Sequence, residues 1–353
     1  MSTLSFVILL IGVALVFDFF NGFHDAANSV ATVVTTRVLS PLQAVIWAAF
    51  FNFIAAFLFG TGVATTISEK LIDPKAVDVY VICGGLIGAI AWDIITWLMA
   101  LPTSSSHAII SGYAGAAIAK AGFSSILIKG WIPVIVFLII SPIIGMILGW
   151  AIMTAVSWLS YRTERHKAER TFRHLQLVSA GLYSLGHGTN DAQKTMGIIA
   201  ALLVAAGREQ WSKPDGGFMS GFHLFGIKHQ IAWWIILSCH AAMALGTMAG
   251  GWRIVKTIGS RITPHLRPLG GFSAEMAAAT TIGLATLASV PISTTHAIGG
   301  AVSGVGATRG WHAVRWIWGE RIVVAWVVTF PGAALIGAAC YLLAHWGIQP
   351  FIH

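Results

Sequence analysis

Seven long runs of apolar residues constrain the fold of this chain more than any other feature of its sequence. Each has roughly the 20 residues that an α-helix needs to cross the hydrocarbon core of a bilayer. Only 10% of the 353 residues are charged, well below the roughly 25% of soluble domains, so the chain cannot cover itself with a charged surface. The sequence therefore predicts an all-α polytopic membrane protein. The runs lie at 4–20, 41–63, 79–101, 131–159, 231–250, 275–291 and 322–345.

Charge and cysteine usage exclude several classes of protein. The net charge of +8 could indicate nucleic-acid binding, but in a membrane chain the basic residues are explained by topology, since cytoplasmic loops carry an excess of Lys and Arg. No nucleic-acid partner is expected. Cys83, Cys239 and Cys340 stand alone in apolar stretches, so the sequence predicts neither a disulfide framework nor a resident metal or cofactor.

Two pairs of matching motifs indicate an internal repeat. GFHDA at 22–26 matches GTNDA at 188–192, and LPTSSSHAI at 101–109 matches VPISTTHAI at 290–298. The offsets are 166 and 189 residues, so the second half has 23 more residues between its motifs, which we place in the Gly-rich stretch 207–230. The predicted domains are a first transmembrane repeat, a basic cytoplasmic linker and a second transmembrane repeat, at 1–160, 161–173 and 174–353.

The distribution of basic residues predicts the orientation of the repeats. We expect each repeat to contain three spans plus a re-entrant hairpin with its Pro-Ser/Thr motif at the tip, so that the second copy is inverted. The loops on one side then hold 13 Lys and Arg and those on the other side seven, which makes the first side cytoplasmic and places both termini outside. An even number of crossings would instead make the copies parallel. A polar segment at 21–29 favours broken helices near the midplane.

Five acidic residues fall at membrane depth in this topology. An ionised, unpaired carboxylate near the bilayer centre costs several kcal/mol, so such residues are functional candidates. Asp25 and Asp191 occupy matching places in the two repeats, whereas Asp18, Asp93 and Glu275 have no counterpart. Asp93 is the best secondary candidate, and the roles of the other two stay open.

The motifs suit a cation beside an anion. Carboxylates with neighbouring amides offer hard oxygen ligands to a small cation or a proton. The hydroxyl runs after Pro102 and Pro291 open helices whose first N–H groups are unpaired, and such helix starts bind anions without arginine. The residues therefore indicate cation-coupled transport of an oxyanion by a protein that is not an enzyme.

These motifs resemble those of the inorganic phosphate transporter (Pit) family, over essentially the whole chain and in the same order. The resemblance implies an inverted-repeat, dimeric symporter in a bacterial inner membrane, in which the signature aspartates serve the coupling ion and phosphate. His24 before Asp25, and Gln193 and Lys194 after Asp191, resemble the low-affinity branch that is independent of sodium. Protons are then the expected coupling ion, sodium the alternative, and Mg²⁺ or another divalent cation could accompany phosphate.

Two sets of site residues follow. The predicted phosphate ligands are Asn28, Ser104, Ser105, Ser106, Gln193, Lys194, Ser293, Thr294 and Thr295. The predicted coupling residues are His24, Asp25, Asn190 and Asp191.

Several alternatives stay open. The aspartates and hydroxyls could be structural, since buried acids are satisfied at helix ends and Ser or Thr often bonds the preceding helical turn. Lys194 either neutralises Asp191 or contacts phosphate, and His24 is either a proton relay or a packing residue. A sulfate permease on the same scaffold is the nearest rival function; a passive anion channel and an enzyme acting on lipid-linked phosphate are more distant ones.

Overall fold

The chain folds into helices whose order repeats. The computed structural model describes residues 3–58, 60–214 and 230–348, and this part contains twelve α-helices. The first six are α1 Thr3–Thr35, α2 Pro41–Ile54, α3 Gly62–Glu69, α4 Val79–Leu98, α5 Ser105–Ala121 and α6 Ile128–Leu159. The next six are α7 Arg165–Ala205, α8 Trp233–Ala249, α9 Trp252–Lys256, α10 Pro268–Leu287, α11 Thr294–Ala307 and α12 Trp316–Ile348. Most of the predicted insertion lies outside the described residues.

Each set of six has a long helix, a bent pair, a hairpin and a second long helix. The chain bends by 80° between α2 and α3, and by 65° between α8 and the segment formed by α9 and the π-helical turn Thr257–Arg261. Within the described residues, four helices (α1, α4, α6 and α12) are long and apolar enough to cross a membrane, and up to six segments are if each bent pair is one span. The prediction of an all-α polytopic membrane protein is confirmed.

The expected breaks do not lie at the motifs. Helices α1 and α7 run without interruption through residues 21–29 and 186–194, because neither helix contains proline and several of the polar side chains, such as Asn28 and Gln193, find partners on other elements. The glycines of the motifs serve close packing instead. A Cβ on Gly22 would collide with the backbone of Met243, and one on Gly188 would meet the backbone of Asn52. The bends lie in the neighbouring elements α2–α3 and α8–α9.

The Pro-Ser/Thr motifs lie at the tips of two helical hairpins. Helices α4 and α5 pack against each other, and Asp78 before α4 pairs with Lys120 near the end of α5 at 2.7 Å. Helix α4 therefore begins at the same end of the molecule at which α5 ends. In the second hairpin, α10 packs on α11. The tips have the same backbone form, since Ala100 and Ser289, which the repeat aligns, have φ of 55° and 57°.

Each hairpin is held by the last helix of the other repeat. Helix α5 packs on α12, and α11 packs on α6. Glycines make the contacts close, because small residues allow helix backbones to approach. A Cβ on Gly115 would collide with the backbone of Ala334, and one on Gly300 with that of Pro142.

The connections between helices gather at two ends of the molecule. We define face I by the connections 36–40, 160–164, 262–267 and 308–315. Arg173 donates to the carbonyl of Arg37 at 2.6 Å, and the N–H of Arg315 donates to the carbonyl of Ile262 at 3.0 Å. The rings of Phe172 and Phe272, near the starts of α7 and α10, lie 5.7 Å apart. Since α7 begins at Arg165, most of the predicted linker is helical.

Face II is defined by the connections 70–78, 122–127 and 206–212. The N–H of Leu127 donates to the carbonyl of Leu71 at 3.0 Å, and residues 69, 74 and 209 line one groove. Helix α1 begins here, because the ring of Phe6 lies 5.9 Å from that of Tyr80. Helices α1 and α7 therefore run in opposite directions, from face II to face I and from face I to face II.

Candidate functional site

Asp25 of α1 and Asp191 of α7 approach each other in the buried interior, where both lie close to the ring of His187. Nε2 of His187 lies 3.3 Å from Oδ2 of Asp191 and 4.0 Å from Oδ2 of Asp25. All three side chains are buried, and one ligand atom from each lies within 4.8 Å of the others. We call these residues the carboxylate cluster. Two carboxylate oxygens and an imidazole nitrogen can hold a proton or a small cation.

The two carboxylates have different electrostatic environments. Asp191 forms an ion pair with Lys194, and it accepts hydrogen bonds from Thr294 at 3.0 Å and Ser106 at 3.4 Å. Among the described residues, Asp25 has no lysine or arginine partner; Nδ1 of His24 lies 3.1 Å from its Oδ1. With neutral histidines, Asp191 and Lys194 cancel and Asp25 leaves a net charge of −1.

Each acid-bearing helix contacts the hairpin of the opposite repeat. Lys194 of the second repeat donates to Ser106 of the first at 2.6 Å. Asn28, which the repeat aligns with Lys194, donates to Thr295 of the second repeat at 2.8 Å. Thr295 and Ser106 are themselves aligned by the repeat. Six of the predicted side chains are therefore brought together in one reciprocal arrangement: Asp25, Asn28, Ser106, Asp191, Lys194 and Thr295.

Two predicted phosphate ligands act as helix caps. Ser104 accepts from the N–H of His107 at 3.3 Å, and Ser293 accepts from the N–H of His296 at 3.2 Å. These caps fix the starts of α5 and α11 beside the carboxylate cluster. The first N–H groups of both helices have no partner within the helix, so they are available to an anion. Ser105 is buried at the start of α5, and its hydroxyl has no hydrogen-bond partner in the described part of the chain.

Asn190 and Gln193 are placed away from the cluster. The amide of Asn190 donates to Thr286 at 3.0 Å and accepts from the N–H of Ile292 at 3.2 Å, which fixes the second hairpin tip. The amide of Gln193 accepts from the N–H of Val63 at 2.8 Å and donates to the carbonyl of Gly60 at 2.7 Å. It therefore holds the bend between α2 and α3. Neither amide faces the carboxylates.

His24 extends the cluster toward a cavity. Its Nε2 lies 3.3 Å from the hydroxyl of Thr96 and 3.4 Å from that of Thr103. With Asp93 and four apolar residues of α1 and α4 it lines a cavity of about 280 Å³. The side chain thus joins Asp25 to a space large enough for water.

Glu275 belongs to a separate buried network near face I. It accepts hydrogen bonds from Thr32 at 2.6 Å, Gln176 at 3.0 Å and Ser179 at 2.5 Å. Because the three donors come from α1 and α7, Glu275 of α10 ties these helices together, and its buried carboxyl oxygens are satisfied by hydrogen bonds.

Sequence reasoning assigned no role to His187. The spacing could have indicated a role, because a residue four positions before Asp191 must lie on the same face of the helix. His107 and His296 were likewise left without a role. Their rings, one from each hairpin, lie 4.8 Å apart, and Trp326 stacks on His296. This contact could not be predicted, because it depends on how the hairpins meet.

Comparison with known proteins places the chain in a family. The model of the phosphate transporter family matches residues 21–337. A probable low-affinity inorganic phosphate transporter of Rhizobium meliloti (strain 1021) is 52% identical over 97% of this chain and 98% of the relative. One from Bacillus subtilis (strain 168) is 43% identical over 96% and 97%. The curated relatives are named as transporters, in agreement with the prediction that the chain is not an enzyme.

The fold is also known. A solved structure of the sodium-dependent phosphate transporter matches with a TM-score of 0.82 and 23% identity, over 97% of this chain and all of that one. At this identity the likeness is one of fold. The sequence matches span the motifs that form the carboxylate cluster and the second hairpin tip. The chain belongs to the phosphate transporter family.

Proposed function

We propose that the chain is a proton-coupled symporter that imports inorganic phosphate across a bacterial inner membrane. The observation that carries this proposal is that Lys194 pairs with Asp191, whereas Asp25 has no lysine or arginine partner among the described residues, beside two helix starts that favour anions. A phosphate anion is repelled by the acid and attracted by the helix starts. Binding therefore depends on a cation that first neutralises Asp25, and this dependence is the basis of coupling.

Proton coupling follows from the neighbours of Asp25. His24 contacts one carboxylate oxygen and His187 lies 4.0 Å from the other. One proton on this group makes the site neutral, and a second makes it positive. Since coupling is reciprocal, bound phosphate in turn strengthens proton binding.

Lys194 argues against two sodium ions at this site. It occupies the place that Asn28 has in the first repeat, and its ammonium group already pairs with Asp191. One acid is therefore neutralised by a fixed cation. Sodium held by Asp25 and His187 is the alternative, and the name of the solved relative, a sodium-dependent transporter, makes it the one to test.

The phosphate ligands in this proposal come from both hairpins and from the acid-bearing helices α1 and α7. We assign phosphate binding to Lys194, Ser105, Ser106, Thr295 and the unpaired N–H groups at the starts of α5 and α11, beside the cluster. Thr294 and Asn28 complete the wall, whereas Gln193 and Asn190 support it from outside. A divalent cation such as Mg²⁺ carried with phosphate would add positive charge at the same place.

The contacts at faces I and II support inverted repeats. Helices α1 and α7 run in opposite directions between these faces, and the connections of face I belong to the loops with more Lys and Arg. Face I is then cytoplasmic and both termini lie outside. A homodimer in membrane lipid is part of the same proposal.

Uptake of radiolabelled phosphate into proteoliposomes tests the coupling. We expect an inward proton gradient without sodium to drive accumulation, and Asp25→Asn to abolish it. Parallel samples with a sodium gradient and with Mg²⁺ separate the alternatives. Accumulation that requires sodium would contradict the proposed coupling while retaining phosphate transport.

Competition distinguishes phosphate from sulfate. Hydrogen phosphate keeps a proton that can be donated to a carboxylate, whereas sulfate at neutral pH has none. A sulfate oxygen beside a carboxylate oxygen would therefore place two hydrogen-bond acceptors in contact without a proton between them. We expect excess arsenate to suppress phosphate uptake and equal sulfate to leave it nearly unchanged. Equal inhibition by both anions would favour the sulfate permease.

A further inference from the structure

Asp18 is a buried acid that the proposed site does not use. It lies on α1, is fully buried, and neither of its carboxylate oxygens has a hydrogen-bond partner in the described part of the chain. Among those residues it also has no lysine, arginine or histidine within ion-pair distance, in contrast to Asp25 and Asp191. Glu275 is equally buried but accepts three hydrogen bonds.

The surroundings of Asp18 are polar but unsatisfied. Asn21, Thr195 and Cys239 face its carboxylate from α1, α7 and α8, although none meets the distance and angle of a hydrogen bond. Both amide atoms of Asn21 and the hydroxyl of Thr195 also have no partner among the described residues, and both side chains are at least 98% buried. The amide oxygen of Asn21 and the hydroxyl oxygen of Thr195 can each accept a hydrogen bond from the O–H of a carboxylic acid.

An ionised carboxylate without a hydrogen bond or a cation in an apolar interior is strongly unfavourable, and such a group takes up a proton instead. The titratable groups that face Asp18 are Cys239 of α8 and, at longer range, Asp191 and Lys194 of α7. In the described part of the chain no basic group contacts it. The position therefore suits a carboxylic acid.

The location of Asp18 connects face II with the carboxylate cluster. Asp18 precedes Asp25 by seven residues, which is about 10 Å along a helix, on the side where α1 begins at face II. Asn21 lies between the two acids on the same helix face, and Thr195 lies one turn beyond Asp191 toward the face II end of α7. Asp18, Asn21 and Thr195 thus form a path of polar side chains that leads from the face II side of the molecule to the carboxylate cluster.

We propose that Asp18 is a second proton-binding site, which receives the coupling proton from face II and releases it toward Asp25. This inference rests on the proposed proton coupling. In the proton-loaded state the O–H of Asp18 faces Asn21 or Thr195. In the unloaded state the carboxylate is transient, since no fixed charge stabilises it.

The test compares three variants with the unmodified chain in proteoliposomes. Asp18→Asn imitates the protonated acid and cannot release a proton, and Asp18→Glu restores a titratable group. Ser184→Ala is the matched control, because the repeat aligns Ser184 with Asp18, and its buried hydroxyl donates to the carbonyl of Ala180 at 2.8 Å. Two quantities are measured: phosphate–phosphate exchange without gradients, and phosphate accumulation driven by protons with the accompanying proton entry.

We expect Asp18→Asn to retain exchange but to lose about tenfold or more in proton-driven accumulation, because a coupling ion is lost. Asp18→Glu should recover part of that loss, and Ser184→Ala should match the unmodified chain. Full proton-driven accumulation by Asp18→Asn overturns the inference alone. Accumulation by the unmodified chain only with sodium overturns the proposed coupling, and this inference with it.

A second measurement covers the case in which Asp18→Asn loses exchange as well. Infrared difference spectra of the purified protein at neutral pH report the C=O stretch of a protonated carboxylic acid. The unmodified chain should show a band that Asp18→Asn lacks and Ser184→Ala keeps. Identical carboxylic-acid bands in the unmodified chain and Asp18→Asn would overturn the inference.

Discussion

Lys194 is the residue that makes the two halves of the site electrically different. Its ammonium group contacts Asp191, Ser106 and the carbonyl of Ile292, and it is fully buried. A buried ion pair adds little over a well-packed apolar pair, but removal of one partner leaves an uncompensated charge. The role of Lys194 therefore has a clear test.

We expect Lys194→Gln to lower the free energy of unfolding by about 3 kcal/mol, because Asp191 then lies buried without a cation. Thermal unfolding in detergent measures the change. The double variant Lys194→Gln with Asp191→Asn should recover much of that stability without recovering phosphate uptake.

Lys120→Gln is the control for this prediction. Lys120 also pairs with an acid, Asp78, at 2.7 Å, but the side chain is 27% exposed. Exposed pairs contribute at most about 1 kcal/mol, so a small effect is expected. An equally small effect of Lys194→Gln would contradict the ion pair as a source of stability.

The sequence predicted this residue better than some of its neighbours. The spacing of three residues from Asp191 placed both side chains on one helix face, so the sequence offered this pair as one of two readings, the other being a contact with phosphate. The partners of Asn190 and Gln193 could not be predicted, because their amides bond to groups on other elements that are distant in sequence. The same limit applies to His187, whose distance to Asp25 depends on the packing of α1 on α7.

At the scale of elements, Gln193 links helix α7 to the bend between α2 and α3. Its amide is the partner of backbone groups at residues 60 and 63, where the chain turns between α2 and α3. The sequence predicted breaks near the midplane but placed them at the motifs. Polar residues indicate a break only when no other helix supplies partners, and this cannot be read from one segment.

We expect Gln193→Ala to increase hydrogen–deuterium exchange at residues 60–64, because the backbone groups there lose their buried partner. Mass spectrometry of peptides from this region measures the effect. Thr189→Ala, which removes a hydroxyl that bonds within its own helix, is the control. Unchanged exchange in Gln193→Ala would show that the amide does not hold the bend.

Close packing of the hairpins on the opposite repeat gives another prediction. Gly300→Ala should lower the free energy of unfolding by about 1–3 kcal/mol, since the added methyl group meets the backbone of Pro142. Gly283→Ala has open space around its Cβ, and an alanine in a helix is favoured over glycine by up to about 1 kcal/mol. The unfolding temperature should therefore fall for Gly300→Ala and rise for Gly283→Ala. A shift in the same direction for both variants would contradict the close packing of Gly300 on Pro142.

For the whole molecule, the orientation of the two faces is the main prediction to be tested. The sequence allowed inverted repeats to be predicted from loop charges, and the contacts at faces I and II favour the same arrangement. The loop charges alone could not place the hairpins, because a re-entrant hairpin does not change the number of times the chain crosses the membrane. Packing contacts were needed to show that α4 and α5 return to one end.

Cysteine labelling tests the orientation. Ser124→Cys lies on face II and Thr163→Cys on face I, both at exposed positions. In intact cells we expect an impermeant maleimide to label Ser124→Cys, and to label Thr163→Cys only after the membrane is opened. The unmodified chain, with Cys83 and Cys239 buried and Cys340 half-buried, provides the background. Labelling of both positions from the same side would contradict inverted repeats.

The reciprocal contacts between halves bear on how such a molecule could have arisen. Asn28 donates to Thr295 and Lys194 donates to Ser106, so the residue three positions after each acid finds its hydroxyl partner in the other repeat. An ancestor with a single repeat would have needed a second copy in the opposite orientation to assemble one pathway. A chain that joins both copies allows each to differ, as at the aligned positions Asn28 and Lys194.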